Sequence, residues 1–385
     1  MRDGLLVVDC DAHVMEPDDI WANYIDAKYK DRAPKRLVNK GRIWGQIHVD
    51  GQPIYNKYPD HLVEIYQENL LENYGDFFRQ GFGAASHVRA MDKQGIDISY
   101  LYPSIGLYVT AINGQDPDLS YAITRAYNDW ITDFCSYAPE RLRPVALVSR
   151  HRIEDARQEL LRCVKELGMQ AVTVRPNPLN GKTLGDKSLE PFWQLCEDLE
   201  VAVGIHEGSH VRLPATGADR FDSHMAMHAC CHPMEQMMAF IALFEAGVFE
   251  RHPQLRVGFL EAGCAWLPYM LWRLEGEFKL WSYQVPEVHE KPVNCFKRQC
   301  FISGEGSEPN LPAVIDYIGA GSILFASDYP HPDHGLGEEL EEWLESSLPE
   351  ETKKKILWDN AVRFYKMDEA SLESDLRQVT SVSAA

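Results

Sequence analysis

The stretch Val7-Val8-Asp9-Cys10-Asp11-Ala12-His13 decides how the chain is read. Residues 5–8 are apolar and partly β-branched over the length of a short buried strand. Side chains alternate faces along a strand, so Asp11 and His13 project to one side at its C-terminal end. Asp9 shares that side two residues deeper, where a hydrogen-bonding role is expected rather than a ligand role. Two ligand-type side chains at this place are what a barrel metalloenzyme takes from its first strand, if later strands supply the partners.

Beyond residue 85 the chain is rhythmic. Expected strands at 96–102, 143–148, 171–175, 201–206, 255–260, 300–303 and 322–327 alternate with helices of 10 to 20 residues, among them 234–249, which follows a loop carrying His224, His228 and His232; several are closed by a glycine such as Gly95 or Gly168. With the opening strand there are eight βα units, which favours an α/β fold of the closed (β/α)8 TIM-barrel type. No Gly-x-Gly-x-x-Gly follows any strand, which weakens a nucleotide-binding reading. Residues 1–366 are expected to form a single barrel domain. Within it, 29–85 lacks a clear period and is read as a lid-like excursion after strand 1, and 367–385 as a tail. His48, His61 and His87 are expected on loops or the surface.

Composition sets the outer limits. The formal charge is −20, which opposes nucleic-acid binding because phosphate contacts need a basic footprint. Part of the excess lies in 338–351, which is rich in Glu without Lys or Arg and reads as the solvated face of a late helix. No apolar run reaches membrane-spanning length, and the N-terminus has no secretory pattern. The nine scattered cysteines read as reduced thiols. A cytoplasmic protein acting on a small molecule is expected, with neither nucleic acid nor membrane as partner.

In a barrel the chemistry lies at the C-terminal strand ends. Those positions hold Asp11 and His13 on strand 1, His206 on strand 5, Glu261 on strand 6 and Asp328 on strand 8. Each closes an apolar strand, where a polar group needs a partner, and together imidazoles and carboxylates suit one divalent ion such as Zn²⁺ or Mn²⁺. Arg175 after strand 4, and Arg212, Arg220, His228 and His232 after strand 5, are candidate substrate contacts; the arginines would pair with a carboxylate.

Asp11-Ala12-His13, Ile205-His206-Glu207, Phe325-Ala326-Ser327-Asp328-Tyr329-Pro330-His331 and the closing Ile356-Leu357-Trp358-Asp359-Asn360-Ala361-Val362-Arg363-Phe364-Tyr365 resemble the amidohydrolase superfamily. The likeness is to the amidohydrolase-related branch that includes aminocarboxymuconate-semialdehyde and resorcylate-type decarboxylases. It runs from strand 1 to about residue 366. The resemblance implies that Asp11, His13, His206 and Asp328 ligate one metal, Zn²⁺ before Mn²⁺, and that the protein is a homodimer. Decarboxylases of this branch usually place a His at the end of strand 6, whereas this chain has Glu261-Ala262-Gly263. That departure leads to hydrolysis of a small amide, ester or lactone-like substrate as the first expectation, with Asp328 or Glu261 as base and His206 at the reacting centre. Metal-dependent decarboxylation of an aromatic or unsaturated acid is the alternative, with His228, His232 or His331 supplying the imidazole. A non-catalytic binding protein ranks third, because an intact donor set is not needed for the fold.

Overall fold

The computed structural model describes residues 2, 4–37, 46–54, 60–208 and 215–368. Its centre is an eight-stranded parallel sheet paired in chain order. The strands are β1 (Val8–Val14), β2 (Ile98–Pro103), β3 (Leu142–Leu147), β4 (Ala171–Val174), β5 (Ala202–Ile205), β6 (Arg256–Phe259), β7 (Cys300–Gly304) and β8 (Ile323–Phe325). All eight expected strands are present.

Closure joins β1 to the segment after β8. The His13 amide donates to the Tyr329 carbonyl (2.6 Å), and the Asp328 amide donates to the Asp11 carbonyl (2.9 Å). Asp9 is the clasp: its carboxylate accepts from the Ser327 amide (3.0 Å), the Ser327 hydroxyl (2.5 Å) and the Asp11 amide (3.2 Å). Burial pushes the Asp9 carboxyl up to about 7, against the pull of those donors.

The first strand departs from its expected form. It begins at Val8 and carries Asp11 and His13 within it rather than beyond its end. Its pairing with β2 slips between Asp9 and Ala12. Val8 and Cys10 belong to the barrel interior, whereas Ala12 and Val14 pack against the surrounding helices. The bulge changes the phase of alternation, so Asp11 and His13 enter the mouth on the same side as Val8 and Cys10.

The barrel is filled from below by the last helix. Phe364, Tyr365 and Trp358 join Tyr100, Tyr102, Val145 and Leu324 inside. Tyr365 donates to the Cys10 carbonyl at 2.9 Å. Gly258 admits this plug, since a Cβ there would lie 2.7 Å from Phe364 Cζ.

Two further expectations are corrected. The 29–85 excursion has regular structure: an antiparallel sheet of Lys35–Leu37, Gln46–Val49 and Gln52–Pro53, then the helices Asp60–Tyr74 and Asp76–Arg79. Strands this short carry too few residues for alternation to be read. The helix expected over 234–249 begins ten positions earlier, as His224–Glu245, capped by Ser223, whose hydroxyl accepts from the Ala226 amide, and carrying Pro233 inside. Among the described residues, no helix is long and apolar enough to cross a membrane.

Candidate metal centre and active site

Strand β1 delivers Asp11 and His13, and the end of β5 delivers His206. The two imidazoles meet through their Nε2 atoms at 3.0 Å, and Asp11 Oδ1 lies 3.4 Å from His13 Nε2 and 3.2 Å from His206 Nε2. On the far side of each ring, Nδ1 faces a backbone carbonyl: Pro103 O at 3.2 Å for His13 and Glu207 O at 2.6 Å for His206. A carbonyl only accepts, so both Nδ1 atoms donate, and a neutral imidazole then presents a lone pair at Nε2. Two lone pairs therefore face each other across 3.0 Å. Beside them both oxygens of the buried Asp11 carboxylate lack a hydrogen-bond partner among the described residues. A divalent cation among these atoms removes the repulsion and satisfies the carboxylate, so the residues present fit the ion. Without it His206 takes up a proton: burial opposes the charge, but Asp11 and Glu261 prevail and lift its pKa to about 9. Proton and metal thus compete for the same place.

Asp328, after β8, completes the group. It sits at φ +53°, a left-handed turn that is uncommon outside glycine, with Oδ1 3.4 Å from His13 Nε2 and 2.8 Å from His331 Nδ1. The Tyr329–Pro330 peptide that follows is cis. His331 Nε2 lies 2.9 Å from the Ser104 hydroxyl, and its ring packs on His13 with centroids 4.2 Å apart. Asp11, His13 and His206 form one set of metal-capable donors, and His13, Asp328 and His331 a second that shares His13.

Glu261, two residues past β6, is also left-handed, at φ +55°. Its Oε2 lies 3.2 Å from His206 Nδ1, behind the ring rather than on the Nε2 side where the metal donors gather. The same oxygen is 3.5 Å from His232 Nε2. Burial would raise its pKa, yet His206, His232 and His331 hold it well below the usual carboxylate range. His232 is in turn lifted well above its ordinary value, burial being outweighed by Glu261 and Cys231. The expected loop histidines prove to be a helical row: His224, His228 and His232 fall one turn apart, with ring centroids separated by 5.2 and 4.4 Å. Pro233 masked that helix, because a proline reads as a helix start or stop.

The arginine expectations fare differently. Arg175 is buried and donates to Glu207 Oε1 (2.8 Å), Gly208 O (2.6 Å) and Asn177 Oδ1 (3.0 Å). Its charge neutralises a fully buried glutamate and ties down the loop after β5, and it is not among the residues lining the cavity that opens from this centre. Arg220 projects into solvent beside Asp219 and does not line the site. Arg212 lies outside the described residues. His87, expected at the surface, is buried under Tyr329 with ring centroids 4.9 Å apart, and burial lowers its pKa to about 3.

A cavity of about 260 Å³ opens from this centre, lined by Asp11, His228, His232, Glu261 and Asp328 and by a further group, Glu305, Asp333, His334 and Glu339. Of the second group, only Glu305 stood at a strand end where sequence reasoning looks. The others follow β8: Asp333 and His334 stand in the dense run Pro330-His331-Pro332-Asp333-His334, and Glu339 in the acidic stretch 338–351.

The fold and site define a (β/α)8 barrel with a donor cluster for one divalent ion at its C-terminal mouth. A profile of the Amidohydrolase family matches residues 8–367, and the chain belongs to that family. It is 27% identical over 320 residues to 2-amino-3-carboxymuconate-6-semialdehyde decarboxylase of Dictyostelium discoideum, covering 80% of this chain and 84% of that one. It is 28% identical over 304 residues to gamma-resorcylate decarboxylase of Polaromonas sp. strain JS666, covering 73% and 86%. Among solved structures, an amidohydrolase from Mycobacterium avium subsp. paratuberculosis K-10 superposes with a TM-score of 0.76 at 22% identity, over 94% of this chain and 99% of that one. A dihydroxybenzoic acid decarboxylase from Polaromonas sp. JS666, with bound manganese and the inhibitor 2-nitroresorcinol, gives 0.68 at 20% identity over 96% and 99%. The protein is an enzyme, and the expectation of hydrolysis is corrected: the relatives matched along most of the barrel are decarboxylases. Glu261 carried that expectation, and its place behind His206 removes the reason for it.

Proposed function

We propose that this enzyme is a metal-dependent, non-oxidative decarboxylase of a small aromatic or unsaturated acid. The observation that carries this is the His232–Glu261 pair beside the metal donors: it supplies, from another element, the protonated imidazole that β6 does not. The likeness to decarboxylases over most of the chain supports it. Asp11, His13, His206 and Asp328 would hold one divalent ion. Their nitrogen and oxygen donors accommodate Zn²⁺ or Mn²⁺, and the manganese of the Polaromonas enzyme favours the latter. When bound, the ion supplies a Lewis acid that fixes the substrate and draws off negative charge.

The chain's own residues do the rest. Glu261, 3.5 Å from Nε2, keeps His232 charged, and His232 lines the cavity to which its proton would be delivered. As the carbon–carboxylate bond breaks, CO₂ leaves and the electron pair stays on the ring or chain carbon. That carbon takes the His232 proton, and solvent reprotonates the imidazole. Tyr74 orders the roof by donating to the carbonyls of His331 (2.6 Å) and His334 (2.9 Å), which limits water above the reacting carbon. On this reading the 29–85 segment covers the mouth of a one-domain barrel.

Hydroxybenzoates and amides offered in parallel to manganese-loaded enzyme test the proposal. Release of CO₂ from at least one carboxylate, abolished in Asp328→Ala, is the expected result. Amide cleavage without CO₂ release would overturn it.

A further inference from the structure

In the second group lining the cavity, Glu305, Asp333 and Glu339 are carboxylates, and the fourth member, His334, is paired with one of them. Glu339 is 4% exposed, and its Oε1 lies 2.8 Å from His334 Nδ1. Its Oε2 is buried and has no hydrogen-bond partner among the described residues. Glu305 approaches from the other side, directly after β7. Its loop is held by Glu308, whose carboxylate accepts from the amides of Glu305 (3.0 Å), Cys264 (2.8 Å) and Ala265 (2.6 Å). Gly306 lets that loop lie against the Glu338–Glu345 helix, because a Cβ there would sit 2.6 Å from the Trp343 nitrogen. Burial, with Glu339 and Glu308 alongside, pushes the Glu305 carboxyl up to about 7. The acidic helix expected to face solvent thus turns one glutamate into the cavity.

Carboxylate oxygens only accept, and a buried acceptor left unpaired costs free energy that an incoming donor recovers. Among the described residues lining the cavity, none is Lys or Arg. The lining histidines that carry charge face their own carboxylates, His232 beside Glu261 and His334 beside Glu339, so a second carboxylate entering here would meet net negative charge.

We propose that Glu305 and Glu339 form a substrate subsite for a hydrogen-bond donor, a ring hydroxyl or amino group remote from the carboxylate that is lost. The enzyme's substrate is therefore a hydroxylated or aminated monocarboxylate, and dicarboxylates are rejected. The inference rests on the decarboxylase reading for the placement of the departing carboxylate at the metal.

Binding separates the two claims. Calorimetry on manganese-loaded enzyme would compare salicylate with the isomeric dihydroxybenzoates, with 4-aminosalicylate and with 4- and 5-carboxysalicylate, and CO₂ release would be followed on the same set. At least one hydroxylated or aminated ligand should bind roughly tenfold or more tighter than salicylate, and the carboxylated ones more weakly. Glu305→Gln and Glu339→Gln should each level that difference. If neither variant folds, the ranking on the parent enzyme still decides. Ligands ranked alike, carboxylated ligands bound as tightly, or a preference that survives both substitutions would overturn the subsite. The expected ranking without CO₂ release from any ligand would uphold the subsite and remove the decarboxylase reading. CO₂ release without the ranking would do the reverse.

Discussion

The contact between His13 and His206 needs a positive charge between the rings, a proton or a metal ion, because each ring's other nitrogen is committed to a carbonyl. Asp11→Ala and Asp328→Ala should each weaken metal binding roughly tenfold or more, read as metal per chain after dialysis. Equal metal in parent and variants would remove these residues from the site. His232 acts later: His232→Gln should keep the metal while lowering kcat roughly 10²-fold or more. A variant that lost metal and activity together would contradict the separation of roles. Glu305 gives a pH prediction. With its carboxyl lifted from 4.5 to about 7, the folded protein retains a proton that the unfolded chain has released. Its contribution to stability is thus greatest below about 4.5 and is lost as pH rises through about 7. Glu305→Gln should be more stable than the parent at about pH 8 and lose that advantage at about pH 5, by denaturant midpoint. A parallel pH dependence in parent and variant would count against it.

At the scale of elements, strands and their chemistry were legible, while irregularities were not. Short apolar runs closed by His206, Glu261 and Asp328 announce buried strand ends, since burying such groups is costly unless they have work to do. The β1 bulge had no such signal: it changes which face a residue takes without changing composition. Pro233 inside the His224–Glu245 helix hid the spacing that places His228 and His232 on one face. A charge near a strand end reads as a substrate contact, whereas Arg175 faces Glu207 and Arg220 faces solvent. The Asp60–Tyr74 helix clasps the loop after β8 through Tyr74 and Asn73, which donates to the Pro332 carbonyl at 2.9 Å. Tyr74→Phe removes two of these bonds and should cost about 1–3 kcal/mol, with kcat falling more than stability at the assay temperature accounts for. Unchanged kcat would detach the roof from catalysis.

For the whole molecule, the order of strands along the chain equals their order around the barrel, so residues as distant as Asp11, His206, Glu261 and Asp328 arrive at one mouth without any long-range sequence signal. Asp9 and Ser327 join the ends of that order, and the last helix fills the base with Tyr365. The resemblance that pointed to the family also pointed to the reaction. Giving Glu261 precedence over it led toward hydrolysis, because sequence order cannot tell that His232 comes within 3.5 Å of Glu261 at the end of β6. The most direct measurement runs the reaction in D₂O with manganese-loaded enzyme and a hydroxybenzoate that releases CO₂. One deuterium at the vacated carbon, formed in step with CO₂ and suppressed together with it in His232→Gln, is the predicted result. Acid release from an amide or ester with no CO₂, or deuteration unaffected by His232→Gln, would contradict the account.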